Sequence, residues 1–96
     1  MKPRSLVWSR RAEADLAEIG DFIALDDPKA AQRWVRKLMT AAQVAARLPF
    51  AGRRVPEFQR EDIREIVFKQ YRIVYRVAVR RCTVLTVFER HRLLPH

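Results

Sequence analysis

The sequence predicts an α+β domain of order β-α-α-β-β-β, with a helical hairpin laid on a small, mostly antiparallel sheet. Three observations lead there. Two amphipathic periodicities follow one another across the break Asp26, Asp27, Pro28. The stretch Arg64 to Val77, REIVFKQYRIVYRV, is two β-rich runs separated by the polar pair Lys69 and Gln70, the pattern of a hairpin. Beyond it, Cys82 to Phe88 is nearly continuous in apolar character, as an interior strand requires. With 96 residues, 49% of them hydrophobic and only two of them glycine, the chain has material for one ordered domain spanning 1–96.

Taken in order, Ser5 to Trp8 is a short apolar run that predicts the first strand, and Ser9 is placed to cap the helix after it. From Arg10 to about Leu25, Ala12, Leu16, Ile19 and Ile23 recur at helical spacing. Asp15, Glu18 and Asp21 fall largely elsewhere on that helix, where a solvated, dipole-matched face is expected. Gly20 costs roughly 1 kcal/mol in a helix interior, and it marks a candidate close helix crossing. Asp27 is the expected N-cap of a second helix with Pro28 in its first position, running to about Arg47. Its apolar stripe is Ala31, Trp34, Val35, Leu38, Ala41, Ala42, Ala45 and Leu48, while Arg33, Arg36, Lys37 and Arg47 stay mostly outside it. Leu48 to Asp62 reads as a connecting loop, with Phe50, Val55 and Phe58 expected to pin it to the core. Val79 to Arg81 turns the chain into the last strand.

The charge is what sets the chain apart from a plain scaffold. The formal total is +9, and it is unevenly spread: residues 1–27 carry −2 and residues 28–96 carry +11. A field of that sign fits an acidic protein segment, a nucleic acid or an anionic surface. On the strand from Tyr71, alternation puts Arg72 and Arg76 on one face. The parity of the turn at Lys69 and Gln70 decides whether Arg64 joins them. Arg72 and Arg76 also fit a solvated strand face, or pairing with Glu65 across the hairpin. Glu61, Asp62 and Glu65 are expected to neutralise neighbouring arginines, since no histidine or cysteine set accompanies them to make a metal site. Trp8, Trp34, Tyr71 and Tyr75 read as core or core-edge residues. Glycine-rich phosphate loops, CxxC pairs and HExxH are absent, and no cofactor is implied. Cys82, the single cysteine, suits a reducing compartment as a buried thiol. No apolar run approaches the roughly 20 residues of a membrane span, so a cytoplasmic protein without a membrane partner is expected.

Several segments together carry a resemblance to a known family. They are VWSRRAEADLAEIGDFIA, DDPKAAQRWVRKL, LPFAGRRVPEF, DIREIVFKQYRIVYRV and VLTVFERHRLLP, in that order and across essentially the whole chain. The combination resembles the RelE/ParE superfamily of toxins from type II toxin–antitoxin modules, and the ParE branch most closely. The resemblance implies a small toxin neutralised by a cognate antitoxin, ParD-like or another DNA-binding kind, with operator DNA bound only through that antitoxin. ParE-like members poison DNA gyrase without being enzymes; the alternative is a RelE-like endonuclease that cuts mRNA on the ribosome. For a nuclease the resemblance points to Arg64, Arg72, Arg90 and His91, although Ile66 stands where a second strand lysine is expected and the C-terminal tyrosine of some RelE proteins is missing. For partner binding it points to Arg64, Arg72, Arg76, Arg90 and Arg92.

Overall fold

Ser9 joins the first strand to the first helix and ties both to the far end of the chain. Its hydroxyl oxygen accepts from the Ala12 N–H at 3.0 Å, capping the helix, while the hydroxyl donates to the Leu85 carbonyl, also at 3.0 Å. The computed structural model describes residues 4–91. Within them lie β1 (Ser5–Trp8), α1 (Arg10–Ala24), α2 (Pro28–Arg47), β2 (Arg53–Arg54), β3 (Ile63–Phe68), β4 (Tyr71–Val77) and β5 (Arg81–Glu89). The five strands form one mixed sheet in the order β1-β5-β4-β3-β2. β1 runs parallel to β5, and the other three pairings are antiparallel. No described helix is long and apolar enough to cross a membrane.

The predicted elements form for the expected reasons. Asp27 caps α2 by accepting from the N–H groups of Lys29 and Ala30, and Pro28 sits in the first turn. Gly20 is indeed at the helix crossing: a Cβ there would stand 3.1 Å from Val35 Cγ2. The helical hairpin covers one face of the sheet. Leu38 and Ala42 of α2 and Ala12 of α1 pack on Tyr71, Ile73, Val84 and Val87, with Trp34 meeting Tyr71 and Phe68 edge to face. Tyr75, Val77 and Cys82 extend this core beneath Ala45 and Ala46.

The loop differs from its sequence reading in three ways. It begins with a single 3-10 turn, Pro49–Ala51, and contains the short edge strand β2, paired with Glu65 and Arg64. Its path folds back over the other face of the sheet, where Val55 forms a second, small core with Ile63 and Val74. Val55 is therefore the pin, whereas Phe50, Phe58 and also Leu48 of the predicted stripe remain exposed. The pairing of β4 with β5 shifts register between Val74 and Tyr75. Beside that shift Asp15, expected on a solvated face, reaches down from α1 instead. Its Oδ2 accepts from the Thr86 hydroxyl at 2.5 Å and the Val87 N–H at 3.1 Å, fastening helix to sheet.

Candidate partner-binding surface

Strand register decides which of the basic residues belong together. Phe68 pairs with Tyr71 across the turn, so Lys69 and Gln70 alone make the connection, with Lys69 in the left-handed region at φ 57°. Counting back, Ile66 stands opposite Ile73 and Arg64 opposite Tyr75, on the side covered by the helices. Val67, Glu65 and Ile63 stand opposite Arg72, Val74 and Arg76, on the other side. Arg72 and Arg76 do share a face. Arg64 is on the opposite one.

Arg72 is 7% exposed and fully engaged. Its Nε donates to Glu65 Oε1 at 2.6 Å, and its two terminal nitrogens donate to the Glu57 carboxylate at 2.9 and 3.0 Å. The guanidinium also lies 5.0 Å from the Phe88 ring centroid. Arg53 donates to the second oxygen of Glu65, which is completely buried. Two arginines and two glutamates thus form one neutral network, and it clasps the loop to the sheet through Glu57. The Glu57 carboxyl is held below its ordinary value of 4.5, first by the hydrogen bonds from Arg72. A depressed carboxyl stabilises the fold fully above that ordinary value and loses its contribution as pH falls below 4.5 through the lowered one. Glu57→Gln is accordingly expected to lower stability at neutral pH and to narrow its difference from wild type in acid, as read by denaturant unfolding across that range. Identical pH profiles for the two proteins would contradict the assignment.

The other candidates are dispersed. Arg64 donates to the carbonyls of Glu61 and Gly52 and to the Glu61 carboxylate, and it stacks 5.2 Å from the Phe50 ring centroid. Arg76 is exposed at the same end of the sheet, outside any ion pair among the described residues. Arg90 is exposed beyond β5 at the hairpin-turn end, where its N–H donates to the Gln70 carbonyl at 2.7 Å, and exposed His91 follows it. Since Arg64 is level with Tyr75 and Arg90 lies one residue past the level of Tyr71, their backbones are separated along the strands by roughly 16 Å. Arg92 lies outside the described residues. As expected, the carboxylates neutralise arginines: Glu61 also pairs with Arg54, and Asp62 with Arg60. Tyr75 is a core residue, as expected. Its hydroxyl donates to the Pro49 carbonyl at 2.6 Å, and burial pushes the phenol up to about 12. Burial likewise pushes the Cys82 thiol up.

Sequence reasoning gave less weight to α2, where the unneutralised charge is concentrated. From Pro28 to Arg47 the helix carries Lys29, Arg33, Arg36, Lys37 and Arg47 and not one carboxylate. None of these five is in an ion pair among the described residues. The signal was available in the sequence as a twenty-residue window without Asp or Glu.

A helical hairpin on a mixed five-stranded sheet, built from a strongly basic chain of this length, is the architecture of the RelE/ParE toxin superfamily. The profile described as ParE toxin of type II toxin–antitoxin system, parDE, matches residues 6–94, and the chain belongs to that family. Among curated relatives, it is 36% identical to the Y4kP protein of Sinorhizobium fredii, over 99% of this chain and 97% of that one. It is 42% identical to toxin RelE2 of Caulobacter vibrioides over 76% of this chain and 80% of the relative. Among solved structures, a chain of the chromosomal ParDE system from P. aeruginosa superposes with a TM-score of 0.75 at 22% identity, covering 91% of this chain and 96% of that one. A chain of the RelBE2 toxin–antitoxin complex from Mycobacterium tuberculosis gives 0.68 at 20% identity, covering 93% and 100%.

Proposed function

We propose that this chain arrests growth by binding rather than by cutting: a cytoplasmic, ParE-like poison of DNA gyrase, neutralised by a cognate antitoxin that alone contacts operator DNA. The observation that carries this reading is the dispersal of the would-be nuclease cluster. Phosphodiester cleavage needs cationic groups converging on one phosphate to stabilise its developing charge. Here Arg72 is consumed by Glu57 and Glu65, Arg64 faces the other side of the sheet, and Arg90 is at its far end. Dispersed arginines suit a broad protein contact, with Arg76 and Arg90 open to it. The reading predicts that the purified protein inhibits supercoiling by gyrase or accumulates cleaved DNA, and undisturbed gyrase at toxin excess would sink it.

The nuclease alternative is favoured by one feature, the adjacent exposed pair Arg90 and His91. It predicts mRNA cleavage on translating ribosomes that disappears in Arg90→Ala. Intact transcripts during growth arrest remove it.

A further inference from the structure

A pocket of about 390 Å³ lies between α1 and the end of β5, and its charge runs against that of the chain. Arg11, Asp15, Glu18 and Phe22 line it from α1 at helical spacing, while Glu89, Gln70 and Tyr71 come from the sheet and its turn. Three carboxylates thus share the pocket with a single guanidinium, in a protein of formal charge +9. Asp15 is already satisfied: its Oδ1 accepts from Arg11 at 3.1 Å and its Oδ2 from Thr86 and Val87. Glu18 and Glu89 are exposed and in no ion pair among the described residues. Glu89 stands opposite Tyr71 in the ladder of β4 and β5. Tyr71 is only 8% exposed, yet its hydroxyl donates to no described residue, whereas the buried hydroxyl of Tyr75 donates to Pro49. Burial, and after it the Glu89 charge, push the Tyr71 phenol above its ordinary value of 10, and the Gln70 amide beside it acts the other way. The phenol is therefore neutral and keeps hydrogen-bonding capacity for something in the pocket. At the rim the Phe22 ring is 75% exposed.

We propose that this pocket receives an arginine side chain from a partner protein, its guanidinium donating to Glu18 and Glu89 and to the Tyr71 oxygen, with the Phe22 ring against its face. The two unpaired carboxylates call for a cation. A metal ion is too small for them, since among the described residues no group of three or more His, Cys, Asp or Glu is placed to hold one. A guanidinium reaches further: its donors fan out in a plane toward separate acceptors, and that plane stacks on an aromatic ring. Lysine brings the same charge as a point, with no face for Phe22 to cover. Arg11 already places a guanidinium of this chain against Asp15 on the same wall. The site asks for the opposite charge to the one that the open arginines of the sheet and α2 would attract, and it does not depend on which enzyme the toxin poisons.

The test titrates the full-length, isotope-labelled chain with three blocked amino acids, the N-acetyl N-methylamides of arginine, lysine and citrulline. The arginine probe is expected to shift the amide resonances of Gln70, Val87 and Glu89 saturably. The lysine probe should bind at least about threefold more weakly, and the uncharged citrulline probe not at all. In Glu18→Gln/Glu89→Gln the arginine dissociation constant should rise about tenfold or more, and in Tyr71→Phe about threefold. Glu13→Gln, on a different part of α1, is the control that leaves it unchanged. Unchanged circular dichroism and thermal midpoints establish that each variant is folded, and the exposed double variant decides the site if Tyr71→Phe is not. Equal binding of arginine and citrulline overturns the site, as does an arginine constant that the double variant leaves unmoved. Growth arrest on expression, and its reversal by the antitoxin encoded beside this chain, are then compared between wild type and the double variant. Weaker arrest puts the arginine on the target of the toxin, and weaker reversal puts it on the antitoxin. Arrest and reversal both unchanged overturn the partner, because the pocket then takes only free small cations.

Discussion

Arg72→Ala is expected to destabilise the chain by about 3–5 kcal/mol, the cost of stripping one partner from a buried charge network. Glu65 would remain with no solvent access and Arg53 alone, and Glu57 would lose both of its bonds to the sheet. The measurement is urea unfolding beside Glu65→Ala and the double variant, Arg72→Ala/Glu65→Ala. The double variant should cost clearly less than the two single changes summed, because it leaves fewer stranded charges. Additive costs would show that the pair is not coupled. The result also governs how activity is tested. A toxicity lost in Arg72→Ala would report an unfolded protein, so Arg90 and His91, exposed at the end of β5, are the positions at which to probe a nuclease.

The second large effect falls on a glycine. Gly52 has ordinary extended backbone at φ −67°, ψ 151°, so conformational freedom is not its reason. A Cβ there would lie 2.1 Å from the Tyr75 hydroxyl and 2.9 Å from the Glu65 carbonyl oxygen. Gly52→Ala must expel the phenol from its bond to Pro49, leaving buried polar groups unpaired at about 1–3 kcal/mol before any strain is added. At roughly 4–8 °C per kcal/mol for a domain of this size, the thermal midpoint should fall visibly. Adding Tyr75→Phe removes the closest clash and should recover part of the loss. It cannot recover all of it, because the Glu65 backbone oxygen stays where it is. A wild-type midpoint in Gly52→Ala would refute the packing argument.

What the sequence made legible were features decided within a few residues. Ser9 and Asp27 cap the helices because each oxygen needs only to reach the next turn, and the hairpin announces itself through β-rich runs around a polar pair. Gly20 was readable as a crossing because little else places glycine inside a helix. The features that escaped depend on paths between distant segments. Alternation puts Arg72 and Arg76 on one face, but their opposite fates, one buried and one exposed, follow from where Glu57 arrives from the loop. The side occupied by Arg64 turned on a two-residue count across the turn. Asp15 satisfied the helical pattern of a solvent face, and a strand irregularity seventy-one residues away supplied its partner. The candidate site was read where β-strand arginines were most conspicuous. Two of them, Arg64 and Arg72, are spent on acids that the loop and the neighbouring strand bring to them, while Arg76 and the acid-free helix keep their charge open.

The parallel pairing of β1 with β5 has a consequence in time. Ser5 is matched to Arg81 and Trp8 to Val84, so the first strand to be synthesised waits for nearly the whole chain before it has a neighbour. During synthesis the helical hairpin can form early, but its apolar face has no completed sheet to rest on until residues through Glu89 have left the ribosome. A nascent chain stopped after the β3–β4 hairpin would lack two strands, not one, because β1 cannot stay paired without β5. The assembled surface therefore comes into being late and nearly all at once, and a premature stop yields an unfinished core instead of a smaller version of the same protein.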